Sequence, residues 1–255
     1  MKLLNQVAIV FGGSSGIGKA TAERLAAEGA SVAVIASGDI AKATLVSDGI
    51  AAKGGRARAY AADVRSPEQI EAVVARVEQD LGPIDILVNS AGVYFPTPMG
   101  ETREADFDRM VDVNLKGSFF TINAIAPGMK ARGRGRIVNV ASVAGVRGSP
   151  RFPLYSATKA SIIMLTKALA GDLAPHGVHI NAIAPGNTAT SLNAAERSDP
   201  ANAELMNAKA AATPSTRTYS PPEEMAAAIF FLVSGEMNAM YGATMLIDEG
   251  LSSCV

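Results

Sequence analysis

The chain has 255 residues, 48% hydrophobic and 18% charged, with 23 Lys and Arg against 24 Asp and Glu for a net charge of −1. This balance argues against a nucleic-acid surface, and no apolar run approaches the ~18 residues that a membrane helix needs. The one cysteine, Cys254, leaves no internal disulfide and fits a reducing, cytoplasmic setting, while Met1 to Gln6 lead straight into a strand and leave no room for a signal peptide.

Val7 to Phe11 is short and wholly apolar, which predicts a strand buried on both faces. It runs into Gly12-Gly13-Ser14-Ser15-Gly16-Ile17-Gly18, and then into a helical pattern with Ile17, Thr21 and Leu25 on one side. Strand, glycine turn and helix form the context of a phosphate-binding loop: glycines let the backbone approach a pyrophosphate, whose charge then meets the positive end of a helix. The second strand, Ser31 to Ala36, ends in Ala36-Ser37-Gly38 without the acid that holds a ribose 2′-hydroxyl in NAD sites. Asp39 lies beyond the apolar run and reads as a helix N-cap. No arginine stands there to grip a 2′-phosphate, so the expectation leans only towards NADP over NAD.

A third strand, Arg56 to Ala61, leads to Asp63-Val64, and Ser66-Pro67-Glu68-Gln69 reads as a helix start with Gln69 closing a capping box. Ile70, Val73, Val74, Val77 and Leu81 give that helix one core face, and Gly82-Pro83 stops it. The fourth strand, Ile84 to Val88, delivers Asn89-Ser90-Ala91-Gly92. After the Pro96-Thr97-Pro98 loop a long helix is predicted from about Glu104, with Asn114 in its middle as a packing residue or a bend. Arg132, Arg134 and Arg136 read as a solvated loop before the fifth strand, Arg136 to Val140, which ends in Ala141-Ser142.

Tyr155-Ser156-Ala157-Thr158-Lys159 places a phenol and an ammonium one turn apart on one helix face. A phenol near pKa ~10 is a poor base; a neighbouring cation is expected to pull that value down and let the pair exchange a proton with a carbonyl or an alcohol. The sixth strand, Val178 to Ala184, ends at Pro185-Gly186. The polar, Ala-rich stretch of about 187–221 is too long for a simple loop and predicts a lid with short helices of its own. Pro222 to Ser234 reads as a last helix and Ala243 to Ile247 as a last strand. This alternation predicts a single α/β domain: a Rossmann-like, doubly wound parallel sheet of about seven strands, with ligands at the carboxyl ends of the strands.

The glycine loop, Asn89-Ser90-Ala91-Gly92, Asn114, Ser142 with Tyr155-x-x-x-Lys159, and Pro185-Gly186, in that order over nearly the whole chain, resemble the short-chain dehydrogenase/reductase family. The resemblance implies reversible, NAD(P)-dependent hydride transfer between a secondary alcohol and a ketone. In it Tyr155 is the acid/base, Lys159 lowers its pKa and holds the nicotinamide ribose, Ser142 orients the substrate oxygen, and Asn114 keeps a water. Gly12, Ser14, Ser15, Gly16, Ile17 and Gly18 hold the pyrophosphate. Ser37, Asp63 and Val64 lie towards the adenosine; Asn89, Ala91 and Gly92 line the channel; Pro185, Gly186, Thr188 and Thr190 flank the nicotinamide. No metal is implied.

Three positions depart from the family pattern: Phe11 for a threonine, Ser90 for an asparagine, and Glu249 for a glycine, the last expected to alter a subunit contact. Tyr94, Phe95, Val146, Phe152 and Leu154 with the lid suggest a hydrophobic small-molecule ketone or alcohol. A 3-oxoacyl thioester reductase is the alternative, and Arg147 and Arg151 are either its basic patch or solvated loop residues. A cofactor-binding regulator without turnover is the other, disfavoured by the intact Ser142, Tyr155 and Lys159. Met110, Val113, Phe119, Phe120 and Ile122, with Ile162, Ile163, Met164, Leu165, Leu169 and Leu173, exceed one core stripe on each helix. This surplus and the resemblance imply a homotetramer, or a homodimer, with paired helices.

Overall fold

Five apolar residues with no polar face belong inside a sheet, and β1 (Val7–Phe11) is central in the computed structural model, which describes residues 1–253. Cys254 lies outside the described residues. β1 pairs in parallel with β2 (Ser31–Ala36) on one side and β4 (Ile84–Asn89) on the other. With β3 (Arg56–Ala61), β5 (Gly135–Val140), β6 (Val178–Pro185) and β7 (Thr244–Ile247), the order is β3-β2-β1-β4-β5-β6-β7, all parallel. The direction of winding reverses at β1, and the crevice beyond the carboxyl ends of β1 and β4 is where such a sheet accepts ligands.

The helices are α1 (Gly16–Ala27), α2 (Ile40–Ala51), α3 (Pro67–Leu81), α4 (Glu104–Val111), α5 (Gly117–Arg132), α6 (Ala144–Arg147), α7 (Pro153–Leu173), α8 (Ala194–Ser198), α9 (Ala203–Ala212) and α10 (Pro222–Val233). Alternate residues of β1 feed two cores. Val7, Ile9 and Phe11 join Ile70 and Val77 of α3, Ile122 and Met129 of α5, and Leu173 of α7. Ala8 and Val10 join Leu25 of α1, Val46 of α2 and Ile229 of α10. Among the described residues, no helix is long and apolar enough to cross a membrane.

Several local expectations change. Asp39 caps α2 as foreseen, accepting the Ala41 N–H at 3.0 Å. Ser66 caps α3 by accepting the Gln69 N–H, but Gln69 does not close a capping box; its carbonyl accepts the Asp63 N–H at 2.9 Å and ties the end of β3 to α3. The long helix from Glu104 is interrupted: a π turn, Asp112–Lys116, separates α4 from α5 and turns Asn114 inward. The three arginines form no patch. Arg132 donates to the Ile84 carbonyl, Arg134 pairs with Asp85, and Arg136 lies on β5 and donates to Asn238.

A buried polar chain crosses the sheet near its carboxyl edge. Thr121 of α5 donates to Asn89 Oδ1 at 2.7 Å, Asn89 Nδ2 donates to Asn139 Oδ1 at 2.9 Å, and Asn139 Nδ2 donates to Thr166 of α7 at 2.9 Å. Each bond leaves its neighbour dependent on it, because an orphaned buried amide incurs its full desolvation penalty. Asn139→Ala should therefore cost about 2 kcal/mol and lower the melting temperature by roughly 4–8 °C in a chain of this size. A melt followed by circular dichroism checks this, and an unchanged midpoint would refute it.

Candidate active site

The glycine loop is fixed by close backbone approach. Gly12 has φ +76°, and a Cβ there would come within 2.6 Å of the Ala91 nitrogen, so only glycine lets the turn after β1 lie against the turn after β4. The absent hydroxyl at Phe11 is replaced by main chain: the Ser90 N–H donates to the Phe11 carbonyl at 3.0 Å. Gly16, at φ +52°, opens α1, with Thr190 only 3.2 Å from where its Cβ would stand. Ser15, the N-cap of α1, makes no side-chain capping bond, so the first-turn N–H groups keep their capacity for an anion.

This loop forms one end of a continuous cleft of about 770 Å³. Gly12, Ser14, Ser15, Gly16 and Ile17 line it, as do Ser37, Asp63 and Val64 at one end and Ala91, Gly92, Pro185, Gly186, Thr188 and Thr190 along its length. The shape and donors fit a dinucleotide. Gly18, Asn89 and Asn114 lie outside the lining. Gly18 packs beneath Gly12, and Asn89 belongs to the buried polar chain. Asn114 stands behind the wall, accepting the Val93 N–H at 2.8 Å and donating to the Val93 carbonyl and to Thr158 Oγ1. It thereby ties the loop after β4 to α7.

Ser142, Tyr155 and Lys159 meet at the same cleft. Ser142 follows β5, and its Oγ accepts the Ala144 N–H at 3.2 Å, which leaves the hydroxyl proton free for another oxygen. Tyr155 and Lys159 occupy the first turns of α7, which starts with Pro153 in its favoured place. Lys159 is 6% exposed and donates to the Val140 carbonyl at 2.8 Å. Burial lowers the Lys159 ammonium to about 8. Burial also pushes the Tyr155 phenol up to about 12, the nearby Ser142 hydroxyl acting the other way. In the protein alone the phenol thus lies above its ordinary value, opposite in direction to the expected depression, and the ammonium, 5.7 Å from the ring centroid, donates to Val140.

The substrate wall is less apolar than expected. Tyr94 stacks on Phe152 at 4.3 Å and meets Tyr155 edge-on at 5.0 Å, and both Tyr94 and Phe152 line the cleft. Phe95, Val146 and Leu154 do not. Phe95 lies under Arg109, Val146 is exposed, and the Leu154 N–H donates to Thr97. The lining also includes Arg147, one of the two candidate patch arginines, Asn193 and Lys209 from the expected lid, and Arg65 and Ser149, which the sequence pattern did not single out. Arg65 forks onto Asp63, Arg147 donates to the Leu251 carbonyl, and Lys209 pairs with Glu196. Lys209 had one sequence signal, as the sole cation of the alanine-rich α9. Arg151 lies outside the lining, against Phe152. Among the described residues, no three metal-ligating side chains come together.

Lys159 carries a stability consequence. Its folded pKa, about 8, is below the 10.5 of the free group. The unfolded chain therefore binds the extra proton between those values, and the folded protein gains stability as pH rises through that window. Lys159→Met should raise stability at pH 7 by up to about 3 kcal/mol, with the gain shrinking to nothing by pH ~10.5. Urea unfolding at pH 7 and 10 checks both values; a variant less stable than the parent at pH 7 would refute the assignment.

Known proteins bear on this geometry. The family model for short chain dehydrogenase matches residues 6–201. The 3-oxoacyl-[acyl-carrier-protein] reductase FabG of Thermotoga maritima is 38% identical over 98% of this chain and 99% of its own length. Galactitol 2-dehydrogenase of Agrobacterium fabrum is 38% identical over 98% of both chains. A gluconate 5-dehydrogenase from Burkholderia cenocepacia J2315, solved in complex with NADP and tartrate, superposes with TM-score 0.93 at 33% identity, covering 99% of this chain and 97% of that one. Relatives aligned nearly end to end lead to one conclusion: the chain belongs to the short-chain dehydrogenase/reductase family and is an NAD(P)-dependent oxidoreductase.

Proposed function

We propose that this enzyme interconverts a small secondary alcohol bearing further polar groups and its ketone, with NADP(H) preferred. The observation that carries the reading is the single cleft joining the glycine loop to Ser142, Tyr155 and Lys159. When bound, the nicotinamide supplies or accepts the hydride. The Tyr155 hydroxyl gives its proton to the carbonyl oxygen in reduction and recovers it in oxidation. Ser142 donates a hydrogen bond to that oxygen and orients it. Lys159 has three donors; Val140 takes one, leaving the others for the ribose and for the charge left on the phenol as its proton departs. Asn114 acts from behind, by holding the Val93 loop and Thr158 in place.

Ser149, Asn193 and Lys209, which line the cleft together with Tyr94 and Phe152, support a polar-substituted substrate over a bulky hydrophobic one. The names of the galactitol and gluconate dehydrogenases point the same way. A 3-oxoacyl thioester is the second reading, favoured by the exposed Arg109 and Arg147 beside the cleft and by the FabG relative. A panel of polyols, hydroxy acids and 3-oxoacyl thioesters with both cofactors separates the two; turnover confined to thioesters would overturn the first. We also place the enzyme in the cytoplasm as a homotetramer, a second copy covering the exposed Phe119 and Met164; light scattering tests the assembly.

Tyr155→Phe removes one hydroxyl and keeps the edge-on ring contact with Tyr94. It should lower turnover by about 10²- to 10⁴-fold and leave nucleotide affinity, read by cofactor fluorescence, nearly unchanged. Substantial residual turnover would sink the acid/base role.

The preference for NADP(H) rests on the acid-free end of β2. Ser37 lines the cleft there, Asp39 is engaged in capping α2, and Arg65 stands at the same end. Ser37→Asp should lower catalytic efficiency with NADP(H) by about tenfold, or 1.4 kcal/mol, and raise it with NAD(H), because a carboxylate repels the 2′-phosphate and accepts ribose hydroxyls. An unchanged ratio of efficiencies for the two cofactors would refute this placement.

A further inference from the structure

Glu249 follows β7 with φ 57°, a left-handed backbone that favours glycine. A side chain stays in that region only where its surroundings over-determine it. Here they are specific. The Glu249 carboxylate accepts from Ser215 Oγ at 2.6 Å, from Ser220 Oγ at 2.7 Å, and from Arg217 Nε at 2.9 Å and Nη2 at 2.6 Å. All these donors lie on the short connection between α9 and α10. The two serines and then Arg217 hold the carboxyl down to about 2, so it is charged throughout the working range. Arg217 also forks onto Glu224 in the first turn of α10, at 2.6 and 2.7 Å. These contacts tie Glu249 to its own chain, between the end of β7 and the start of α10.

The connection leads directly to the cleft. The Ser215 N–H donates to the Glu249 carbonyl, the Ser220 N–H to the Asn187 carbonyl at 2.9 Å, and the Ala189 N–H to the Ser220 carbonyl at 2.9 Å. Asn187, Thr188 and Thr190 line the cleft, and α9 at the other end of the connection carries Lys209.

We infer that Glu249 is a positioning residue for substrate recognition. It latches the 215–220 connection, so that Asn187–Thr190 and α9 with Lys209 stay over the substrate end of the cleft. This rests on the proposed reading of that end as the substrate wall. The left-handed backbone gives the latch an unusual signature. Glu249→Gly relieves the backbone and removes every carboxylate contact, so the global fold and the covering segment should respond in opposite senses.

The experiment compares the full chain with Glu249→Gly and Glu249→Gln by thermal melting, hydrogen exchange and steady-state kinetics on the best substrate of the panel. For Glu249→Gly the melting midpoint should hold or rise, while amides in 187–221 exchange at least tenfold faster and those of β1 and β4 do not change. KM for the alcohol should rise about tenfold with kcat changed less than threefold. Glu249→Gln, which keeps an acceptor for the serines, should fall between it and the parent in exchange and in KM. Unchanged exchange in 187–221 would overturn the latch whatever the enzyme turns over. Faster exchange across the whole chain, with a lower midpoint, would overturn it in favour of a general structural role. Faster local exchange with unchanged KM would retain the latch and overturn its part in substrate recognition.

Discussion

A buried ammonium is the constraint around which this molecule is arranged. Taking a lysine out of water is strongly unfavourable unless its hydrogen bonds are replaced. Lys159 has one such bond within the protein, to the carbonyl of Val140 at the last residue of β5. For that bond to form, the first turns of α7 must lie against the carboxyl edge of the sheet, and the same placement brings Tyr155 beside Ser142. A surface lysine one turn from a tyrosine would need none of this. The Tyr-x-x-x-Lys spacing matters because the sheet edge forces the pair out of bulk water, where a proton held or released is felt most strongly.

The neighbouring elements serve that placement. The π turn between α4 and α5 inserts a residue into the helical register, a feature that often marks functional sites. Its effect is concrete: Asn114 points inward and holds the loop after β4 and Thr158 of α7 at once. A few residues on, α5 has resumed in a phase that directs Thr121 onto Asn89. Asn139 completes the tie to α7 through Thr166. The two helices flanking β4 and β5 are thus registered by side-chain amides as well as by apolar packing, and directional bonds specify position where oil-like contacts would tolerate sliding.

The parts legible in the sequence were those that depend on neighbours along the chain. Apolar runs gave the strands within a residue or two, Asp39 and Ser66 gave two helix starts, and the glycine loop gave the turn after β1. The misreadings involve partners remote in sequence. Gln69 was assigned to its own helix start, yet it bonds Asp63. The upward shift of Tyr155 comes from its burial in the folded cleft, which no spacing reveals. Of the expected pocket, Tyr94, Phe152 and the lid line the cleft, the lid through residues such as Asn193 and Lys209, whereas Phe95 and Leu154 turn to other partners and Val146 to solvent, which their positions in the chain do not reveal.

Three departures from local rules gather around one cleft. A cation is buried at Lys159, helical register is broken at Asp112–Lys116, and a glutamate adopts a left-handed backbone at Glu249. Each is unfavourable by itself and is held by bonds to a different element: β5, the Val93 loop, and the connection before α10. The two hydrophobic layers on either face of the sheet supply the stability that lets such strain persist. Strain concentrated where ligands bind, on a scaffold that is locally consistent elsewhere, is how a fold shared by many enzymes can keep its chemistry fixed while the segment covering the substrate varies. In this chain the helix that carries Tyr155 and Lys159 is referred to the sheet edge through Val140, and the connection before α10 is referred to the end of β7 through Glu249, so the two are anchored independently.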